Sequence, residues 1–169
     1  MKKFLFFLMM SSALAISVYY ILWLIIPDNL VFGFPLRMSA YHYEHPIPYI
    51  LIPCFVYSVI ASLLSETFLK VSKGKRILLT VLIVLLTVFF SCPFGGMLWY
   101  YHDMQAGFFP DNWLSILLIQ APMMGWRWGF LIVGIAIPYN LIGSVICYFL
   151  TFRGAKIFQE DIPSPSFTI

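Results

Sequence analysis

The residues best equipped for chemistry are three histidines and the acids beside them, in Tyr41-His42-Tyr43-Glu44-His45-Pro46 and in His102-Asp103-Met104-Gln105. Imidazole nitrogens and carboxylate oxygens are ligands for zinc and related cations. His42, His45 and Glu44 therefore form one candidate metal set, which His102 or Asp103 could complete. His42 and His45 share a face if that stretch is helical, but diverge if it is extended, as residues leading into Pro46 tend to be.

The same residue types support acid–base chemistry. An imidazole oriented by a carboxylate can abstract a proton, and an arginine at headgroup depth can hold a phosphate or an oxyanion. On this reading His102 and Asp103 are the catalytic pair, and Arg37, Arg127 and Gln105 hold the ligand or its anionic group. Two features weigh against it: Asp103 directly follows His102, which does not aim one side chain at the other, and no G-x-S-x-G nucleophile motif is present. A third reading has these residues solvating a protein rim, with Arg127 extending to water between Trp126 and Trp128.

The elements that carry these residues follow from composition. The chain has 169 residues, of which 62% are hydrophobic and 10% charged, too little polar surface to cover a water-soluble globule. A membrane crossing needs about 20 consecutive apolar residues, at about 1.5 Å of rise each. Four segments meet that requirement, at about 4–26, 47–69, 77–101 and 130–152. Ala13-Leu14-Ala15 has the look of a leader-cleavage site, but hydrophobicity continues unbroken to Ile26, which favours a span. The expected fold is an all-α integral membrane protein with four transmembrane helices. A short interfacial or re-entrant helix at about 112–124 precedes the fourth, capped by Asp111 or Asn112 and ended by Pro122. Residues 1–158 would form one helical domain, and 159–169, with Pro163-Ser164-Pro165-Ser166, a disordered cytoplasmic tail.

Lysine and arginine are retained on the cytoplasmic side of a bilayer. With the N-terminus inside, Lys2, Lys3, Lys70, Lys73, Lys75, Arg76, Arg153 and Lys156 lie inside, and Arg37 and Arg127 outside. Both termini are then cytoplasmic in a multi-pass protein of the cell membrane, and all three histidines crowd the outer end of the bundle. The five Trp gather near the same outer interface.

Within the spans, small residues at helical spacing (Ser58, Ala61, Ser62, Ser65; Ser11, Ala15) mark packing seams. Pro53, Cys92-Pro93-Phe94-Gly95-Gly96 and Pro138 predict kinks, Asn140 an interhelical hydrogen bond, and Glu66 a pair with Lys70 four residues on. Cys54, Cys92 and Cys147 form no metal-binding spacing. They read as buried thiols, with a Cys54–Cys92 disulfide conceivable at matched depth.

The sequence implies no cofactor, and a net charge of +3 split along the chain gives no nucleic-acid patch. The expected function is a small binding, transport or accessory subunit, with a ligand or partner site at the extracytoplasmic end. Membrane lipids surround it, and it works as a homo-oligomer or within a membrane complex. The alternative is an outer-leaflet transferase or hydrolase acting on a lipid or lipid-linked substrate.

Overall fold

The structure, a computed structural model, describes residues 1–26, 32–40, 46–107 and 110–160. Among them the regular structure is entirely helical: α1 (Lys2–Ile25), α2 (Gly33–Ala40), α3 (Pro46–Lys70), α4 (Lys73–Gln105), α5 (Trp113–Ile135) and α6 (Ile137–Glu160). Five of these, all but α2, are long and apolar enough to cross a membrane.

Local chemistry explains where they begin and end. Neither Gly nor Pro interrupts α1, and it stops where Ile26 turns extended (ψ 124°) ahead of Pro27. The last turn of α4 closes onto Gly107, whose φ of 113° is open to glycine and strained for other residues. Hydroxyls inside α4 bond back one turn, Thr80 to the Arg76 carbonyl at 2.9 Å, Thr87 to Ile83 at 2.8 Å and Ser91 to Thr87 at 2.6 Å. An apolar helix can therefore carry them without unsatisfied donors.

The basic residues mark one end of the bundle. Lys3 Nζ donates to Glu66 Oε1 at 2.8 Å, joining α1 to α3, whereas the sequence paired Glu66 with Lys70. Phe6 meets Phe158 edge-on at 5.5 Å, and the Arg76 guanidinium lies 5.0 Å from the Phe152 ring. The start of α1, the α3–α4 turn and the last turns of α6 therefore lie together. The core sits toward this end, with Phe7, Ala61 and Phe68 fully buried beside Tyr57, Ile83 and Leu150. Gly154 makes the α1–α6 contact possible, since a Cβ there would strike the Phe6 and Phe7 rings. The seams hold as well. Ser58, Ala61 and Ser65 are buried, and the Ser11 and Ser58 hydroxyls are 3.4 Å apart.

At the opposite, aromatic end, Tyr19 and Leu36 pack with Ile50 and Tyr139, and Tyr49 meets His102. Here the helix boundaries differ from expectation. The stretch expected to end at Pro122 continues to Ile135, because residues Ile116–Gln120 form a π-helical turn immediately before it. That wider turn relieves the clash between a proline ring and the carbonyl four residues back, so Pro122 sits in the first turn of the helix that follows. The stretch expected as one span over 130–152 is divided at Ala136, and Pro138 takes a first-turn position of α6, where a missing N–H costs nothing. Asn140 Nδ2 donates across this break to the Val133 carbonyl at 2.5 Å. Pro53 and Pro93 lie inside continuous helices.

The middle of α5 crosses α4 at very close range. A Cβ added at Gly96 would fall on the Ala121 carbonyl, one at Gly125 on the Cys92 carbonyl, and one at Gly129 on the Cys92 sulfur. The Trp126 indole stacks on Phe89 at 5.3 Å and donates to the Phe89 carbonyl at 2.8 Å. Before this crossing Ile116 shares a hollow with Tyr100, Asp103 and Met104, and after it Ala136 lines a cleft with residues of α3 and α4 from Tyr49 and Trp99 to Val88.

Candidate functional site

The residues singled out by the sequence that the structure describes occupy separate settings, His102, Asp103, Gln105 and Arg37 at the aromatic end and Arg127 beside the crossing of α4 and α5. His102, in the last turns of α4, is half-buried. Its Nδ1 is 3.2 Å from the Tyr49 hydroxyl of α3, a hydrogen bond whose direction follows the imidazole tautomer. The two rings meet edge-on at 5.8 Å. Asp103 is exposed and lines a different hollow, of about 390 Å³, with Tyr100, Met104, Ala106, Pro110 and Ile116. Neighbours on a helix point about 100° apart, so His102 turns toward α3 while Asp103 turns toward the start of α5. Gln105 is exposed, and its Nε2 donates to the Tyr101 hydroxyl at 2.9 Å, one turn back.

Arg37 belongs to α2, the short helix folded over the end of α1. Its guanidinium lies 5.1 Å from the Trp23 ring centroid, and Trp23 in turn packs against Tyr19 at 5.8 Å. Arg127 is exposed on α5 between Trp126 and Trp128. His42, Glu44 and His45 lie outside the described residues. Among the described residues no group of three or more His, Cys, Asp or Glu is gathered as a metal site would require. The three cysteines are free thiols: Cys54 is buried against α1, and Cys92 faces Gly129 of α5.

What the sequence did not signal is a pair of cavities below these residues, meeting at Tyr49 and Pro53 of α3. One, of about 270 Å³, lies between α3, α4 and α5 and is lined by Ser91, Cys92, Trp99, Trp128 and Asn140 among others. The other, of about 290 Å³, runs between α1, α3 and α6 from Leu36, Tyr19 and Tyr139 at the aromatic end to Ser11 and Leu150 toward the core. Small residues open it, Ala15 on α1 and Gly143 on α6. Tyr139 fastens α2 across its mouth by donating to the Phe32 carbonyl at 2.7 Å. Tyr19 is 7% exposed, and its hydroxyl is buried with no hydrogen-bond partner. Tyr19 is one of several aromatic residues near the end of α1; that a cavity lies beside it depends on how α1 and α6 splay, which no local spacing encodes.

Compared with protein family models, with curated proteins and with solved structures, the chain matches none. Chemically, the aromatic end offers the Arg37 guanidinium and tyrosine hydroxyls above long apolar clefts, a combination suited to holding amphipathic molecules.

Proposed function

We infer that the protein is a small multi-pass membrane protein that crosses four times, keeps both termini in the cytoplasm, and binds a ligand or partner at its extracytoplasmic end. In this reading α1, α3, α4 and α6 cross, while α5 is re-entrant or interfacial. The observation that carries the binding role is the pair of clefts converging on Tyr49 and Pro53 beneath His102. Both open toward the bundle surface and are lined by apolar side chains with a few polar groups among them, the kind of lining that small-ligand sites have. Four crossings leave little room for a hydrated path, so any transport role belongs to an oligomer or a larger complex.

The alternative of an outer-leaflet enzyme with His102 as base draws support from the half-buried imidazole. Its weak point is the divergence of Asp103; a group that does meet the ring is the Tyr49 hydroxyl. Native mass spectrometry after gentle extraction tests the first reading: a co-purifying lipid, partner or second copy is expected, and a lone monomer with nothing bound opposes it. Expression of His102→Gln tests the second. Lost turnover of a lipid substrate would establish the enzyme, whereas an unchanged membrane lipid profile in cells with wild type, variant or no protein removes it.

A further inference from the structure

The cavity between α1, α3 and α6 has a shape and a chemical gradient. From Tyr139 to Leu150 it follows α6 for eleven residues, about 16 Å of helix rise, so its volume of about 290 Å³ is drawn out along the helices as an open groove. A groove of that length accommodates an extended acyl chain laid along α6. Its walls are apolar along most of their length, with Val18, Leu22, Ile50, Ile142 and Ile146. The polar groups at its inner end satisfy one another: Tyr57 and Thr151 hydroxyls are 2.8 Å apart, and Ser58 donates to the Cys54 carbonyl at 2.6 Å. That end therefore asks nothing polar of an occupant.

The mouth is different. Leu36 of α2 lines it, and the next residue, Arg37, carries a positive charge over Trp23. Tyr19, on the wall beside Trp23, holds the buried hydroxyl without a partner. Leaving such a group unmatched in a protein interior is costly, and an acceptor arriving with a ligand would relieve it. We propose that this slot binds a single-chain amphiphile with an anionic head, a carboxylate or phosphate monoester, with its tail between α1 and α6 and its head held by Arg37 and the Tyr19 hydroxyl. The assignment rests on the reading of the aromatic end as a binding site, and gives that site its ligand class.

The test uses the full chain in phosphatidylcholine nanodiscs with palmitate carrying a photoreactive diazirine at its tail end. Crosslinks are expected on Ser11, Ile146 and Leu150, deep in the slot. Unlabelled palmitate and hexadecyl phosphate should both compete, and hexadecylamine should not. Gly143→Leu plugs the slot without disturbing the fold, since a Cβ at Gly143 meets nothing within 4 Å, and should abolish the deep crosslinks while the elution profile is retained. Arg37→Gln should weaken binding roughly tenfold or more, as loss of a charge-assisted contact does. Tyr19→Phe should weaken it less and leave thermal stability equal or higher.

Crosslinks confined to lipid-facing residues such as Leu24 and Phe149, indifferent to Gly143→Leu, would overturn the proposal, as would equal competition by the amine. If the slot stays unlabelled while another lipid or partner is still recovered with the protein, the ligand class falls and the binding reading stands. If nothing is recovered either, both fall.

Discussion

Arg76 and Lys3 are both cations at the basic end, yet what each reaches gives it a different weight. The Arg76 side chain folds back over the end of α3, where Nε donates to the Phe68 and Val71 carbonyls at 3.0 and 3.1 Å and a terminal nitrogen to Leu69 at 3.0 Å. Those are the carbonyls a helix leaves without partners, and at a membrane boundary water serves them poorly. Arg76→Gln should therefore destabilise the protein by about 2 kcal/mol, the scale of a charged hydrogen bond, read as a melting temperature several degrees lower in the same detergent. The Lys3–Glu66 pair joins two partly or largely exposed side chains, and such pairs contribute little; Glu66→Gln should leave the melting temperature nearly unmoved. Net charge at this end was legible from sequence, and topology alone seemed to account for it. The capping geometry was not, because it depends on a turn in three dimensions. The same holds for His102: its residue type marked it, but its partner Tyr49 lies on another helix, among aromatic residues that a membrane interface collects in any case.

Among the elements, the close crossing of α4 and α5 depends on glycines, and it makes the strongest demand on residue size. Gly96 and Gly125 face each other with backbone where side chains would stand, so the pair is held by dispersion and by the Trp126 indole on Phe89. Gly125→Val would force the helices apart, costing about 1–3 kcal/mol or more from overpacking. Gly134→Ala, in the same helix but with open space at its Cβ, should be neutral or slightly stabilising. A thermal-shift series monitored by size-exclusion chromatography separates the two, and equal losses at both positions would mean that helix propensity matters more than the crossing. Apolar length and charge placed α1, α3 and α4 within a few residues of their observed ends. They failed between residues 112 and 138, where proline was read as a terminator. Pro122 is accommodated by the π turn ahead of it, and Pro138 begins a helix instead of bending one. The glycines of Pro93-Phe94-Gly95-Gly96, read as a kink, serve in the case of Gly96 as a contact surface.

For the molecule as a whole, the question is how five span-length helices meet a single bilayer. If each crossed in turn, the two ends of the chain would lie on opposite sides. Yet Phe6 packs on Phe158, Lys3 reaches Glu66 and Arg76 lies over Phe152, which gathers the start of α1, the α3–α4 turn and the end of α6 at one end. The basic residues there share one preference for the cytoplasm. An α5 that dips in from the aromatic end and returns to it satisfies both the contacts and the basic residues of that end, and its exposed face carries apolar Leu118, Ile119 and Met123, with Gln120 and Arg127 among its polar members. This leads to a labelling pattern. With Cys54, Cys92 and Cys147 replaced by Ala, single cysteines at Lys73 and Lys156 should resist a membrane-impermeant maleimide applied to intact cells, while cysteines at Ala106 and Asp111 should react. Reaction at Lys156 with protection at Lys73 would mean that α5 crosses fully and that the packing of α1 against α6 is not the native one. Reaction at both basic positions with protection at Ala106 would invert the protein, and place the slot mouth and Arg37 in the inner leaflet.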